Sequence, residues 1–348
     1  MIVVQDRIIV PGHQLARLQA LFRERYMEDA ALRGLHFTEF LVSPPLALTE
    51  APCTLWVRWQ VADAGAWWAM RAQSSSAAVA AFWAEVDDHC LSRERCYLGA
   101  DSPAALPQPV DVGVFAVSTR TYRESAQLVL HDAVTASQRT ELEDILRGEA
   151  GSLPSLTQNS LGANLAPEYA AGHYTWDLLY PDRNTAEAAQ RSATWRERIL
   201  PALEKYCVAR HALRLDTVAA GLRRPGIANA VKRTAYFRML PGTSTQQAKA
   251  FEQVLLAMPG QIPEILNWRL SRATALPWHN AQCVPWNYVW EQEFASLDDL
   301  LGPYMTHPHH WAHVDRWFDP ESGVQAVDVQ LSHAFCYIKR SVLSGDVG

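Results

Sequence analysis

The best-matching pair of stretches in this 348-residue chain consists of ELEDILRGEAGSLPSL, residues 141–156, and AFEQVLLAMPGQIPEI, residues 250–265. Each stretch begins within a predicted helix and runs into a predicted strand. The surrounding elements repeat as well, because the order β-α-β-β-α-β recurs three times at a spacing of roughly a hundred residues. This order indicates three ferredoxin-like units, at residues 1–100, 113–220 and 232–340.

Hydrophobic periodicity and turn residues place the elements of each unit. In the first unit we predict strands at 2–10, 35–42, 54–61 and 95–98, and helices at 14–33 and 74–90. In the second unit we predict strands at 127–134, 156–165, 173–180 and 212–218, and helices at 137–148 and 185–208. In the third unit we predict strands at 234–240, 265–271, 284–294 and 325–338, and helices at 245–258, 297–301 and 308–318. Residues 100–112 and 221–232 are the predicted linkers.

A four-stranded antiparallel sheet with both helices on one face leaves its other face bare and apolar. Two such sheets packed face to face form a barrel that covers both faces. We therefore predict an α+β protein in which the second and third units form one fused barrel. The first unit has no partner within the chain. It either covers its sheet with another segment or pairs with a second copy through residues 1–100, which would give a homodimer.

The composition excludes several classes of protein. The net charge of −6 is dispersed along the chain, which argues against nucleic acid as a partner because such a surface needs clustered basic residues. No apolar run approaches the ~18–20 residues that span a bilayer, and the N-terminus shows no basic leader or cleavage site. The six cysteines are scattered without C-x-x-C spacing. Together these features predict a cytoplasmic protein with reduced thiols and no membrane association.

Aromatic content is the unusual feature of the composition. The chain contains 13 tryptophans, and indoles at this density either fill large cores or line a pocket for a flat, apolar ligand. The usual motifs for nucleotide cofactors, serine hydrolases and zinc proteases do not occur in the sequence.

Histidines crowd into one stretch, PYMTHPHHWAHVDRWFDP, at residues 303–320. Pro308 suits the first turn of a helix, because proline lacks the N–H that would go unpaired there. From this start, His310 lies on the helical face that continues to His313 or Val314 and to Trp317. Tyr304 lies just before the helix. A tyrosine and a histidine brought together at an apolar cavity make a proton-transfer pair.

The third unit resembles a known family, the stress-responsive dimeric α/β-barrel (Dabb) proteins. The resemblance covers Arg233 to Lys339 and includes AYFRMLPGTSTQQAKAFEQVLLAMPGQIPEI and YVWEQEFASLDDLLGPYMTHPHHWAHVDRW, with the pattern Y-x-x-H-P-x-H. It implies that the second and third units form a barrel of the dimeric α/β-barrel type. The family includes stress proteins and a cofactor-free polyketide cyclase, and the resemblance implies catalytic roles for Tyr304, His310 and His307.

This sequence departs from the cyclase pattern at two strand positions. Arg233 falls near the place of a strand-one histidine, and Tyr288 falls near the place of a strand-three histidine, so a polyketide substrate is not implied. The second unit has Ala193–Arg196 about where the motif belongs. The resemblance therefore implies one active half and one structural half.

These observations predict a cofactor-independent lyase, isomerase or cyclase that acts on a small aromatic or polyketide-like carbonyl compound. His310 would be the base, and the Tyr304 hydroxyl would stabilise the developing enolate. Alternating strand positions supply aromatic walls, which we predict to point into the barrel. The predicted substrate-binding residues are Trp286, Tyr288, Trp290, His333, Phe335, Trp311 and Arg233.

Two alternatives remain open. In the first, the protein is a non-catalytic binding or stress protein whose barrel holds apolar ligands. In the other, His307, His310 and His313 bind a zinc or iron ion, or a histidine holds haem. We predict no metal, because Pro308 interrupts the helix between His307 and His310, and no other cofactor, because no feature of the sequence selects haem.

Overall fold

The computed structural model describes residues 1–46, 48–99, 121–283 and 285–345, and the predicted linker at 100–112 lies outside them. The chain divides into two compact units. The N-terminal unit comprises Met1–Pro109, Leu240–Gln261 and Gly302–Val329, and the barrel unit comprises Val110–Met239, Ile262–Leu301 and Gln330–Gly348. No helix among the described residues is both long and apolar enough to cross a membrane.

The first hundred residues form a ferredoxin-like sheet with helices on one face, as predicted. The elements are β1 (Ile2–Pro11), α1 (Leu15–Arg25), α2 (Met27–Leu32), β2 (His36–Ser43), β3 (Pro52–Val61), α3 (Ala64–Gln73), α4 (Ala77–His89) and β4 (Ser92–Gly99). The strands are antiparallel in the order β2-β3-β1-β4. Ser76 caps α4 by accepting the Val79 N–H at 3.2 Å. Helix α3 was not predicted.

The two faces of this sheet differ in burial. On one face, Val4, Ile8 and Val10 alternate along β1 and pack with the helices in a single apolar core. On the other face the side chains of β1 and β3 are half-exposed or exposed, Trp56 among them.

Part of the third repeat folds with the N-terminal unit. The carboxylate of Glu321 is completely buried there and binds Arg33 at 3.1 Å and Arg95 at 2.8 Å. Burial alone would raise the pKa of Glu321, but Arg95 and Arg33 outweigh it and lower the pKa to about 2. The Trp83 indole also donates to Glu321 at 3.2 Å. These bonds fix residues 302–329 on the first ferredoxin-like unit.

The second and third repeats supply the strands of one barrel. In chain order the elements are β5 (Tyr122–Leu130), α5 (Ala136–Asp144), β6 (Gln158–Ala163), β7 (Tyr174–Tyr180), α6 (Arg183–Arg191), α7 (Leu200–Tyr206), β8 (Cys207–Leu222), β9 (Ala228–Phe237), α8 (Thr245–Gln261), β10 (Asn267–Ala275), β11 (Tyr288–Phe294), α9 (Leu297–Asp299) and β12 (Ser332–Arg340). Of these, α8 belongs to the N-terminal unit.

The eight barrel strands are antiparallel in the order β12-β9-β11-β10-β8-β5-β7-β6. The two edge strands meet at a bridge between Asn164 and Cys336, which nearly closes the barrel. Gly162 lies at this seam, where the Cβ of any other residue would collide with the Cys336 sulfur. The predicted α+β class with ferredoxin-like units and a barrel is thus confirmed.

The two halves of the barrel are related by their strand registers. Ser125 on β5 pairs with Asp177 on β7, and Thr234 on β9 pairs with Glu291 on β11. In this alignment YTWDLLY at 174–180 matches YVWEQEF at 288–294 in tyrosine, tryptophan, acid and final aromatic residue.

The same alignment places Arg123 at the position of Lys232, and Glu124 at the position of Arg233. Arg123 and Lys232 point into the barrel, because each contacts a strand that is not its neighbour in the sheet. Arg123 Nη1 lies 2.7 Å from Glu291, and Lys232 Nζ lies 2.7 Å from Asp177.

The barrel interior therefore holds a quartet of buried charges: Arg123, Asp177, Lys232 and Glu291. Lys232 also binds Glu291 at 2.9 Å. Burial disfavours the charged form of Lys232, but Asp177 and Glu291 outweigh it and raise its pKa. Burial likewise opposes ionisation of Glu291, and Arg123 with Lys232 outweighs it and holds the pKa of that carboxyl well below its usual range. Lys232 and Glu291 therefore both favour their charged forms in a water-poor interior.

We expect Arg123→Leu to lower the free energy of unfolding by ~3–5 kcal/mol, because it leaves the buried Glu291 carboxylate with one partner instead of two. The double variant Arg123→Leu/Glu291→Leu should lose less, since Lys232 keeps Asp177. Urea denaturation followed by tryptophan fluorescence measures both. A double variant that is less stable than the single one would contradict the cross-barrel pairing.

Candidate functional site

Tyr304 and His310 meet in a turn between two helical segments. The first runs from α9 through Leu300–Tyr304, and the second, which we call the histidine helix, covers His309–Val314 after Pro308. Both side chains are buried. Their ring centroids lie 4.2 Å apart at an interplanar angle of 37°. The structure thus brings together the pair that the sequence predicts.

A hydrogen bond to the backbone orients the His310 ring. Its Nδ1 lies 3.1 Å from the carbonyl oxygen of Tyr304. A carbonyl oxygen only accepts, so Nδ1 carries the hydrogen and donates. In the neutral imidazole the lone pair then resides at Nε2, which makes Nε2 the basic atom.

Two tryptophans support the turn, Trp68 from the first ferredoxin-like unit and Trp311 from the histidine helix itself. The Trp68 indole donates to the carbonyl of Met305 at 2.8 Å, and its ring lies 5.0 Å from that of His310. The Trp311 indole donates to the carbonyl of Thr306 at 3.1 Å. Carbonyls at the end of a helix have no partner within it, so these indoles satisfy them and hold the turn in place.

Trp311 is part of the N-terminal core. Its ring lies 5.5 Å from Trp67 and 5.7 Å from Tyr97. These contacts give Trp311 a packing role, and its predicted part in substrate binding remains a prediction.

The other histidines of the stretch point to different partners. His307 Nδ1 accepts the His309 N–H at 3.1 Å, which places His307 at the start of the histidine helix. His309 Nε2 lies 3.0 Å from the Val254 carbonyl, and burial lowers the pKa of His309. His313 is exposed. The predicted catalytic role of His307 remains a prediction.

The described residues show no group of three or more histidine, cysteine, aspartate or glutamate side chains placed to hold a metal ion. In particular, His310 directs Nδ1 to the Tyr304 carbonyl, while His313 is exposed. The three-residue steps from His307 to His313 therefore do not bring these rings to one point.

An ion pair lies just beyond the histidine helix. Arg71 on α3 binds Asp315 at 2.6 Å and the Ser74 hydroxyl at 2.7 Å. Burial raises the pKa of Asp315 to about 6, although Arg71 opposes the shift. Sequence reasoning did not identify Trp68 or Arg71 as site residues. They belong to no motif, and their pairing with residues more than two hundred positions away leaves no local signal.

The remaining predicted site residues lie in the barrel unit. The prediction that their side chains point into the barrel is wrong for most of them. Glu291 points into the barrel, so its alternating neighbours Tyr288 and Trp290 face outward. On β12 the register pairs His333 with Ala235, which alternates with the inward Thr234, so His333 and Phe335 also face outward. Alternation separates two faces of a strand, but it does not tell which face the barrel encloses.

Arg233 and His333 form a polar contact on this outer face. An Nη of Arg233 lies 2.6 Å from His333 Nδ1, and Arg233 also donates to Gln292 at 2.9 Å. Burial and the nearby guanidinium lower the pKa of His333 to about 3, so the ring is neutral at pH 7. A neutral His333 accepts a hydrogen bond from Arg233. The predicted role of these residues in substrate binding remains a prediction.

Trp286 precedes β11 and, unlike the other predicted aromatic residues of the barrel unit, does not face outward. It packs inside the barrel unit with Leu213, Tyr236 and Val289. Its indole donates to His211 Nδ1 at 3.0 Å. Burial lowers the pKa of His211 to about 4, which keeps that ring neutral as an acceptor.

Comparison with known proteins agrees with the resemblance noted for the third repeat. Residues 231–331 match the family model described as the Stress responsive A/B Barrel Domain, or Dabb. The matched range includes both Tyr304 and His310. No curated protein matches the chain.

Three solved structures illustrate the structural similarity. An anthrone oxidase-like protein aligns over 64% of this chain and 92% of its own, with 9% identity and a TM-score of 0.47. A protein from Fusobacterium nucleatum assigned as a monooxygenase aligns over 65% and 94%, with 9% identity and a TM-score of 0.43. A dimeric ferredoxin-like protein of unknown function from Thermobifida fusca aligns over 28% and 92%, with 18% identity and a TM-score of 0.26. No activity follows from similarities at this level.

We expect Trp68→Phe to loosen the turn that holds His310, because phenylalanine keeps a ring but loses the N–H that binds the Met305 carbonyl. The free energy of unfolding should fall by ~0.5–1.5 kcal/mol. In ¹⁵N NMR spectra the His310 ring should also lose its single tautomer. Trp56→Phe, on the half-exposed sheet face, is the matched control. An unchanged His310 spectrum in Trp68→Phe would show that Trp68 does not position the ring.

Proposed function

We propose that the protein is a cofactor-independent enzyme, a lyase, isomerase or cyclase, that moves a proton next to a carbonyl of a small aromatic or polyketide-like compound. The observation that carries this proposal is the Tyr304–His310 pair. His310 is buried, its tautomer is set by a backbone carbonyl, and the Tyr304 ring lies against it. The Dabb match over residues 231–331 supports it, because the matched range contains both residues.

The proposed first step is removal of a proton from the carbon next to the carbonyl. His310 Nε2 takes the proton, and the C–H electron pair moves toward the carbonyl oxygen to form an enolate. The Tyr304 hydroxyl donates a hydrogen bond to the enolate oxygen and stabilises its negative charge. Burial of both rings favours this step, because a hydrogen bond to an anion is stronger where water is excluded.

The second step returns the proton and distinguishes three reaction types. In an isomerase the His310 imidazolium protonates another carbon of the enolate. In a lyase the enolate expels a leaving group, which receives the proton. In a cyclase the enolate carbon attacks a second carbonyl of the same molecule, and the imidazolium protonates the new alkoxide. Each course restores neutral His310 without a redox partner.

Proton abstraction by His310 can be detected without the natural substrate, because a carbon that loses a proton in D₂O takes up deuterium. In D₂O the protein should accelerate exchange of the methyl hydrogens of aryl methyl ketones, beginning with acetophenone, as followed by ¹H NMR. His310→Gln should reduce this acceleration by ~10²–10⁴-fold, the usual range for general acid–base catalysis. Tyr304→Phe should reduce it by ~10–10³-fold, since it removes one hydrogen bond and keeps the ring.

Circular dichroism serves as the control for folding of both variants. A folded His310→Gln protein with nearly full exchange activity would remove His310 as the base. Tight binding of the aryl ketones without any exchange would instead identify a ligand-binding protein.

We also propose that the protein forms a homodimer through the half-exposed face of the N-terminal sheet. Leu41 is 39% exposed and Leu98 is 40% exposed on the described part of this sheet, while Trp56 lies 5.8 Å from the Arg7 guanidinium. A sheet face that leaves leucine and tryptophan side chains accessible to water gains stability when a second copy covers it. The ferredoxin-like structure from Thermobifida fusca is itself described as dimeric.

We expect the full-length protein to be a dimer in light scattering, and Trp56→Asp to be a monomer. A carboxylate in the middle of the interface would lose its water on association, and the apolar contact area of the Trp56 ring would be gone, which disfavours association. Trp56→Phe should remain a dimer. A dimeric Trp56→Asp protein would place the interface elsewhere.

A further inference from the structure

A network of buried charges in the N-terminal unit has no part in the proposed chemistry. It joins the first ferredoxin-like unit to the end of the histidine helix and to the residues that follow it. None of its side chains is more than 16% exposed. The carboxyl groups belong to Asp6, Asp315, Asp319 and Glu321, and the guanidinium groups belong to Arg33, Arg71 and Arg95.

The network contains one more acid than base, because four carboxyl groups face three guanidinium groups. A buried charge without a partner is strongly disfavoured, and a carboxyl avoids it by taking up a proton. Asp29 also binds Arg33, but its side chain is 48% exposed and water solvates its charge. Two surface ion pairs on the same elements each balance: Arg93 with Asp87, and Arg316 with Glu94. The excess acid therefore belongs to the buried network.

The charges at one end of the network balance. Arg95 binds Asp6 at 2.7 Å and Glu321 at 2.8 Å. Arg33 binds Glu321 again at 3.1 Å. Two cations thus face two carboxylates, and the low pKa of Glu321 agrees with a carboxylate that stays ionised.

At the other end, Arg71 faces both Asp315 and Asp319. Its Nε lies 2.6 Å from Asp315 Oδ2 and 3.8 Å from Asp319 Oδ1. Two neutral groups also donate to Asp319, the Glu321 N–H at 3.0 Å and the Tyr97 hydroxyl at 3.3 Å. Two carboxyl groups thus share one guanidinium, so the excess acid of the network lies here.

The titration of these two carboxyls agrees with the count of charges. Burial raises the pKa of both above the ordinary aspartate value, and Arg71 opposes the shift without cancelling it. The pKa of Asp315 rises to about 6. Because its side chain is 16% exposed, water reaches this carboxyl and exchanges the proton. A raised pKa means that the proton stabilises the folded arrangement at low pH, and that this stabilisation is lost as the pH rises through about 6.

We propose that Asp315 and Asp319 share one proton beside Arg71, and that this proton holds the end of the histidine helix on the first ferredoxin-like unit. When the proton leaves, two carboxylates compete for one guanidinium, and the histidine helix detaches more often. The pair is thus a pH-sensitive latch for the turn that carries Tyr304 and His310. The inference does not rest on the proposed function, because the latch is measured by the attachment of the helix and not by activity.

Hydrogen exchange of the histidine-helix amides measures how often the helix detaches. The test compares the full-length protein with Asp319→Asn, which keeps the shape of the side chain and leaves three acids for three bases. The protection of the unmodified protein relative to that of Asp319→Asn should fall about tenfold from pH 5 to pH 7, because the shared proton leaves in this range. Both proteins contain the same histidines, so this ratio removes the effects of histidine titration.

Asp87→Asn is the matched control, because it removes a carboxyl that pairs with Arg93 at the surface. The protection of the unmodified protein relative to Asp87→Asn should be the same at both pH values. A second measurement needs no variant: in ¹³C NMR spectra of the unmodified protein, one aspartate carboxyl signal should titrate at about pH 6. A protection ratio to Asp319→Asn that does not change with pH, or aspartate signals that all titrate at ordinary values, would each overturn the proposal.

Discussion

The cross-pairing of Arg123 with Glu291 and of Lys232 with Asp177 is the constraint on which the barrel depends. Each half of the barrel contributes one base and one acid from equivalent strand positions, and each base binds the acid of the other half. A buried charge without its partner costs several kcal/mol. Neither half can therefore bury its inner face alone, and the two must fold in the register that brings the four groups together.

Buried ion pairs also hold the candidate site in place. Glu321 is buried between Arg33 and Arg95, and Asp315 binds Arg71, so residues 302–329 are held by charges of the first ferredoxin-like unit. Trp68 adds a hydrogen bond to the turn itself. The N-terminal repeat is thus more than an extra copy of the fold, because it supplies the groups that orient Tyr304 and His310.

The sequence predicted the order of the elements well, because helices α1, α4, α5 and α8 and most strands have clear apolar periods. It placed the start of β5 at 127 instead of Tyr122, because Arg123 and Glu124 look unlike strand residues until their burial is known. The predicted linker at 221–232 shrinks to 223–227 for the same reason, since β9 carries Lys232 and Arg233. The Tyr304–His310 pair was predictable from one motif, whereas the contacts of Trp68 and Arg71 required the fold.

The sequence pattern Y-x-W-acid occurs on both β7 and β11, so the two halves of the barrel are still alike. They differ at one position on the outer face, where the first half has Glu124 and the second half has Arg233. In a dimer of identical chains every substitution appears twice, so an acid at this position would appear in both sites at once. Joining the halves in one chain removes that restriction. One half can keep its guanidinium while the other acquires a carboxyl, and a single protein can then evolve two binding chemistries from one ancestral surface.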